Sequence, residues 1–332
     1  MLLKELTQAF GVSGFEDEVS QLIITNVKEH ADEVFVDALK NVIVLKKGKG
    51  INKKKIMIAS HMDEIGFMVL SITDKGYLKV RNIGGISIYM SVFNKVKFRN
   101  GIVGIVDYQD SIAEAKGNDI GKLYIDIGAK SKEDALRYIA VGEPAAYVGD
   151  YVELPNNRVC AKAMDDRVGC YVAIEALKKL GTPYNDVYFV FSALEEVGLR
   201  GSKVAAQRIK PDIGVAIDIT GSYDTPQGGN GNMMFGQGAA IKIMDNSVIC
   251  SDKVVESMIE TAQKYNIKYQ LDVLPSGGTD AGAINQSNEG VLTGGISIPT
   301  RYGHSPVSMV DMFDVNCCIE LVTHFVDKEF KF

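Results

Sequence analysis

A chain of 332 residues, 46% apolar and 23% charged, can bury one large core or two ordinary ones, which argues against a disordered chain. The formal net charge of −6 argues against a nucleic-acid partner, because neutralising phosphates needs clustered Lys and Arg. No apolar run approaches the ~18 residues of a membrane span, and Met1-Leu2-Leu3-Lys4-Glu5-Leu6 is too polar for a signal peptide, so no membrane partner is expected.

The elements follow in chain order. Leu3 to Phe10 reads as a short helix broken by Gly11-Val12-Ser13-Gly14. Glu16 to His30 is an amphipathic helix with Val19, Leu22, Ile23 and Val27 on one face. Val34 to Val36 and Asn41 to Leu45 form a hairpin, and a strand from Lys55 to Ser60 ends at His61. From about Ile65 to Cys160 the pattern changes to short alternating strands cut by glycine: 67–72, 77–81, 95–98, 101–106, 123–127 and 145–148. Only 132–139 looks helical there. Many short strands with turn signals predict a small barrel or sandwich inserted into an α/β domain.

The α/β pattern then resumes. A helix spans 166–180, a buried strand 187–192, a helix 202–208 and another buried strand 213–217. A helix at 253–265, a strand at 268–273, a strand within 290–298 leading to His304, and a closing helix at 309–326 complete the chain. The stretch 228–238 is glycine-rich but lacks the Lys-Ser/Thr of a phosphate loop, so it reads as a flexible loop. The expected division is 1–64 and 161–332 for the α/β domain, with 65–160 as the β-rich insert. The five cysteines, Cys160, Cys170, Cys250, Cys317 and Cys318, show no paired spacing, so buried thiols in a reduced, cytoplasmic protein are expected.

Polar residues gather where apolar strands end. His61 and Asp63 follow one strand, Glu195 and Glu196 a second, Asp218 a third and His304 a fourth. Asp165 and Asp166 open the helix after the insert. Each alone has a plain explanation: an acid at a helix start is a cap or a dipole partner, and a lone histidine near a strand end is a satisfied polar residue. Asp218, inside Ala-Ile-Asp-Ile-Thr, is harder to account for, because a carboxylate in an apolar strand needs a partner or a cation. Together, two histidines and three carboxylates suit a pair of zinc-like ions with open positions. Adjacent Glu195 and Glu196 diverge if that segment is extended, so one can bind metal while the other faces substrate as a base. Asp280, in Ser-Gly-Gly-Thr-Asp, reads as either a turn residue or a pocket wall.

Six motifs run in register: His-Met-Asp-Glu-Ile-Gly-Phe (61–67), Ala-Met-Asp-Asp-Arg-Val-Gly (163–169), Leu-Glu-Glu-Val-Gly (194–198), Ala-Ile-Asp (216–218), Gly-Gly-Thr-Asp-Ala (277–281) and Pro-Thr-Arg-Tyr-Gly-His-Ser-Pro (299–306). Over essentially the whole chain they resemble the M42 family of di-metal aminopeptidases, which includes glutamyl and deblocking enzymes and members labelled endoglucanases. The resemblance implies a mixed-sheet α/β/α zinc-peptidase-like domain carrying a small β-rich insert, PDZ-like or a barrel, that serves dimerisation. It implies two divalent ions per subunit, zinc or cobalt, with manganese also accepted. His61 and Asp218 would bind one ion, Glu196 and His304 the other, and Asp165 both, with the Asp165–Asp166 peptide often cis. Glu195 would be the general base acting on a metal-bridging water, and Asp63 would orient His61. Short peptides would be the substrates, and a homo-oligomer, commonly a tetrahedral dodecamer, the assembly.

Two departures stand out. Gly303 replaces a bulky apolar residue before the histidine, and 104–110 lacks a Pro-His element. An N-acyl amino acid amidase or deacylase would use the same site. Glycosidase chemistry fits less well, needing two carboxyls flanking a sugar. A non-catalytic assembly protein on a decayed scaffold would have no need of the intact Glu195 and ligand set.

Overall fold

A computed structural model describes residues 1–332 except 116–118, 227 and 230. Four near-continuous apolar runs become parallel neighbours at the centre of an eleven-stranded sheet, in the order Asp186–Ser192, Lys55–His61, Ile213–Gly221, Leu292–Arg301. Burial on both faces explains why they do not alternate. The helices Leu2–Gln8, Asp17–Val27, Met164–Lys179, Asp252–Lys264 and Met312–Val326 pack into one large core with the sheet, in which Ile58, Phe189, Val215, Ile296 and Phe325 are buried. The helices Arg200–Ile209 and Asp280–Asn285 pack with Met57, Ala59 and Val190 in a separate cluster.

Antiparallel strands extend the sheet on both sides. The hairpin Glu33–Val36 and Val42–Lys46 lies beside 186–192. Ser308–Asp311, Arg158–Ala161 and Val152–Leu154 lie beyond 292–301. Ala239–Met244 branches from 292–301 and carries Tyr269–Val273. Register brings the polar ends level. Ser192 pairs with His61, and Ala216 with Ala59. Asp218 and His61 each lie two residues past the Ala216–Ala59 couple, so they reach the same height at the carboxyl edge, where open α/β sheets place their chemistry.

The insert is a closed six-stranded antiparallel barrel, ordered Gly66–Ile72, Leu78–Ile83, Leu123–Asp126, Val103–Tyr108, Lys95–Phe98, Pro144–Tyr147. Alternation is plainest in 95–98, where the two lysines are exposed while Val96 and Phe98 are buried. Inward residues including Phe67, Val80, Val96, Phe98, Val106 and Ile125 form a core of their own.

Several elements differ from the sequence reading. The barrel ends at Tyr147, and 152–154 and 158–161, where no strand was expected, form strands of the large sheet. Residues 308–311 are a strand rather than the start of the last helix. They pair with 158–161, and Asp311 then caps the helix, its carboxylate accepting from Phe313 N at 3.0 Å. The helix expected at 132–139 stops at Ala135. The strand Ala239–Met244 was not foreseen. Its central Lys242 is fully buried against Asp272 of the neighbouring strand, a charge that masks the apolar pattern. Within 228–238, Asn230 lies outside the described residues; the stretch as described holds no helix or strand and leads into 239–244. No helix among the described residues is long and apolar enough to cross a membrane, and all five cysteines are free.

Candidate metal centre

The four carboxyl strand ends and the start of helix 164–179 converge on one cleft. At its centre is Asp165, at a non-helical φ/ψ of −78° and 108°, joined to Asp166 by a cis peptide. One carboxylate oxygen of Asp165 lies 3.0 Å from His61 Nε2, and the other lies 2.9 Å from His304 Nε2. Both imidazoles present the same nitrogen for the same reason. His61 Nδ1 faces the Asp63 carbonyl at 3.1 Å and His304 Nδ1 faces the Gly85 carbonyl at 2.7 Å. A carbonyl only accepts, so Nδ1 carries the proton in each ring and Nε2 is left to bind.

Glu195 Oε2 lies 3.9 Å from His61 Nε2, and Glu196 Oε1 lies 3.4 Å from His304 Nε2. Single ligand atoms of His61, Glu195 and Asp218 all fall within 4.8 Å of one another, and so do those of His61, Asp165 and Glu196. His61, Asp165, Glu195, Glu196, Asp218 and His304 therefore all line this cleft, and Asp63 stands behind it. Asp63 does not spend its carboxylate mainly on His61, whose Nδ1 is 3.6 Å away. It accepts from the backbone N–H of Glu195 at 3.0 Å and of Glu196 at 3.2 Å, and from Ser13 Oγ at 2.6 Å. Asp280 is buried behind the cleft, where Ser192 and Ser202 hydroxyls donate to it.

The electrostatics are those of a site short of positive charge. Burial raises Asp218 to about 8, and neighbouring Asp165 adds to the rise. Burial raises Glu196 to about 7, opposed by His304. Glu195 is raised well above its ordinary value by burial and by Asp218, Asp280 and Glu196, against the pull of His61. Burial works against charge on both histidines, yet the surrounding carboxylates win: Glu195, Asp165 and Asp63 hold His61 well above its usual range, and Asp165 and Glu196 hold His304 at about 10. For Asp165 the two imidazoles outweigh burial and keep it well below the usual carboxylate range.

The donor set fits a divalent cation. Among the described residues, Glu196 Oε1 is buried and accepts no hydrogen bond, and Asp218 accepts only from Ile219 N at 2.7 Å. A cation at ~2.0–2.2 Å from such N and O atoms would satisfy these oxygens and remove the repulsion among them. These residues can hold a metal ion. The cleft in front of them has a volume of about 360 Å³, large enough for a small substrate, and its remaining wall is Gly85, Gly198, Leu199, Gly277 and Gly278.

Some contributors were not singled out in the sequence. Gly84 and Gly85, just after the barrel strand Leu78–Ile83, bring the insert against Glu196 and His304. A Cβ at Gly84 would sit 2.8 Å from Glu196 Oε2, and one at Gly85 2.9 Å from His304 Nδ1. The double glycine was the available signal. Buried Glu64 accepts both contacts from Lys162 Nζ at 2.7 Å, and fully buried Arg167 donates to the Met62 carbonyl at 2.7 Å. These ties join the His61 corner to the Asp165 turn. Glu64 and Arg167 inside the motifs 61–67 and 163–169, and Lys162 just before the second, were their trace in the sequence.

The chain matches the M42 glutamyl aminopeptidase family over residues 40–321. A protein of Acetivibrio thermocellus is 47% identical over 325 residues, covering 98% of this chain and 97% of that one. An aminopeptidase structure from the archaeon Desulfurococcus kamchatkensis superposes with a TM-score of 0.94 at 39% identity, covering 99% of this chain and 94% of the other. The Pyrococcus horikoshii TET1 peptidase, described as assembling into a tetrahedron or a large octahedral shell, gives 0.86 at 32% identity, with 99% of each chain covered. With a family match over residues 40–321 and aminopeptidase relatives covering nearly the whole chain, the chain belongs to the M42 family and is an aminopeptidase.

Proposed function

We propose that this aminopeptidase removes N-terminal residues from short peptides, with two divalent cations per subunit and Glu195 as the general base. The observation that carries the reading is Asp165, whose two oxygens face the Nε2 atoms of His61 and His304 at 3.0 and 2.9 Å. A carboxylate set between two imidazoles, each with a further acid beside it, supports a two-ion reading. His61 and Asp218 would hold one ion, Glu196 and His304 the other, and Asp165 both. Bound zinc or cobalt, or manganese, would supply Lewis acidity toward the scissile carbonyl and a water of lowered pKa.

The chain's own residues do the rest. Glu195, beside His61 and open to the cleft, takes the proton from the attacking water and passes it to the leaving amine. Asp63 fixes the 195–196 backbone, so the base and a metal ligand keep their spacing. The carboxylates at the cleft attract the free amine of a peptide, which favours an exposed N-terminus as substrate. Incubation with a panel of aminoacyl-p-nitroanilides, alongside elemental analysis, tests the reading. Hydrolysis with about two ions per chain supports it. Hydrolysis of N-acyl amino acids in place of the anilides would make the enzyme an amidase, and no turnover with an empty metal assay would leave an assembly protein.

The barrel reads as the assembly module. It exposes Tyr89, Met90 and Phe93, apolar side chains that a homo-oligomer such as the tetrahedral shell of the P. horikoshii relative would cover. The domain division then becomes 1–64 and 161–332 around an insert within 65–160 whose barrel strands end at Tyr147. Five free thiols suit a reducing cytoplasm.

A further inference from the structure

The turn Gly11-Val12-Ser13-Gly14 follows the first helix, which ends at Gln8. It sits directly behind the catalytic corner. Ser13 is 6% exposed, and its hydroxyl donates to Asp63 Oδ2 at 2.6 Å. That oxygen also accepts from Glu196 N at 3.2 Å, while Oδ1 accepts from Glu195 N at 3.0 Å. Two residues after the turn, fully buried Glu16 reaches the same corner. Its Oε1 accepts from Gly14 N at 2.7 Å and from Leu194 N at 3.3 Å. Leu194 is at φ 60°, a conformation that needs outside support in a residue with a branched side chain, and it directly precedes Glu195.

The turn is itself held in place from the metal-ligand segments. Glu64 N donates to the Gly11 carbonyl at 2.9 Å and Ser13 N to the Glu64 carbonyl at 3.3 Å. Arg167 donates to the carbonyls of Met62, Ala9 and Gly11. A Cβ on Gly11 would meet Arg167 Nη2 at 2.5 Å, so glycine there is what lets the guanidinium in.

We propose that Ser13 is a positioning residue of the active site. It acts through Asp63, orienting that carboxylate so that the Glu195 and Glu196 backbones are pinned with one side chain at the substrate and the other at the metal. Without the hydroxyl, Asp63 Oδ2 keeps a single N–H donor at 3.2 Å and can rotate, carrying both glutamates with it. Glu16 acts alongside from the preceding peptide. This rests on the assignment of Glu195 as base and Glu196 as ligand.

The test compares Ser13→Ala and Ser13→Thr with the parent full-length enzyme. Zn²⁺ affinity is read by competition with a chromophoric chelator, kcat and KM on an aminoacyl-p-nitroanilide, and the thermal midpoint on metal-free protein. Ser13→Ala is expected to weaken Zn²⁺ binding and lower kcat by about 10-fold each, the scale of losing a group that orients ligands, with KM little changed. Its midpoint should fall by only about 2–4 °C, as for one lost hydrogen bond in a chain this long. Ser13→Thr, which keeps the hydroxyl, should recover most of both functional losses. The proposal is overturned by parental affinity and kcat in Ser13→Ala, by a Thr variant as impaired as the Ala variant, or by losses that only track a collapsed midpoint. Should the parent hydrolyse none of the anilides, the aminopeptidase reading fails by itself, and the Zn²⁺ affinities still decide the role of Ser13.

Discussion

The two histidines that flank Asp165 are held in opposite ways. His61 is 2% exposed, carried by a central strand, with its Nδ1 on the Asp63 carbonyl and its own carbonyl accepting from the buried Cys170 thiol. His304 has a side chain 39% exposed and a backbone at φ 55°, in the turn after its strand, and its Nδ1 rests on one carbonyl, Gly85 of the barrel. Half of the centre is thus built into the core of the sheet, and the other half is closed by a second domain leaning on it. The first half should be resistant and costly to disturb, and the second adjustable.

The largest effects should erase the difference. Exhaustive chelation is expected to abolish turnover, with recovery on adding back zinc or cobalt; activity that survives metal removal refutes the mechanism. Glu195→Ala should lower kcat by about 10²–10⁴-fold, the range for a lost general base, while bound metal measured by elemental analysis stays near the parent value. An active variant would remove Glu195 from that role.

The next experiments separate the halves. His61→Ala should lose bound metal and also lower the thermal midpoint of metal-free protein, because it opens a buried site and removes a partner 3.0 Å from Asp165 and 3.9 Å from Glu195. His304→Ala should lose metal with little change in the midpoint. Equal midpoints would break the comparison. Gly85→Ala works from the barrel side. Its new Cβ would lie 2.9 Å from His304 Nδ1, so it should weaken the ion held by His304 and Glu196 and leave the other in place, a stoichiometry that metal titration resolves.

Smaller effects are expected farther out. Arg301, three residues before His304, donates from Nε and Nη2 to Asp224 at 2.9 and 2.7 Å. Burial opposes it, but this fork holds Asp224 down at about 2. A folded-state pKa below the unfolded one means the pair stabilises the protein above the ordinary aspartate range and ceases to do so as pH falls. The midpoint difference between parent and Asp224→Asn should therefore shrink from roughly pH 4 down to pH 2. Gly303→Ala should change least. Its Cβ would meet Ile219 Cδ1 at 3.1 Å, the far end of a flexible side chain, and φ at 303 does not demand glycine, so kcat should stay within about twofold.

Much of this was legible before any coordinates. The apolar runs near 56–60, 187–192, 213–217 and 292–298 could only be buried strands, and the acids and histidines at their ends had no apolar neighbour to explain them. That Asp218 stood inside such a run was informative because a carboxylate there needs compensation. The motifs, ordered along the chain, then pointed to one family. Local pattern was less reliable where a tertiary partner outweighed it. Residues 308–311 lie in an amphipathic stretch and still form a strand, because 158–161 offers them a ladder. Ala239–Met244 hid behind Lys242, whose charge is tolerable only because Asp272 lies beside it.

By itself, the sequence determined which residues carry the chemistry, since side-chain type and burial demand are local properties. Their arrangement was decided only by the tertiary structure. Sheet register put His61 and Asp218 level, barrel closure brought the Gly85 carbonyl to His304, and the N-terminal turn came to rest on Asp63. Each of these joins segments tens to hundreds of residues apart, and the energy that selects one pairing over another comes from cores and hydrogen-bond ladders that exist only once the chain has folded.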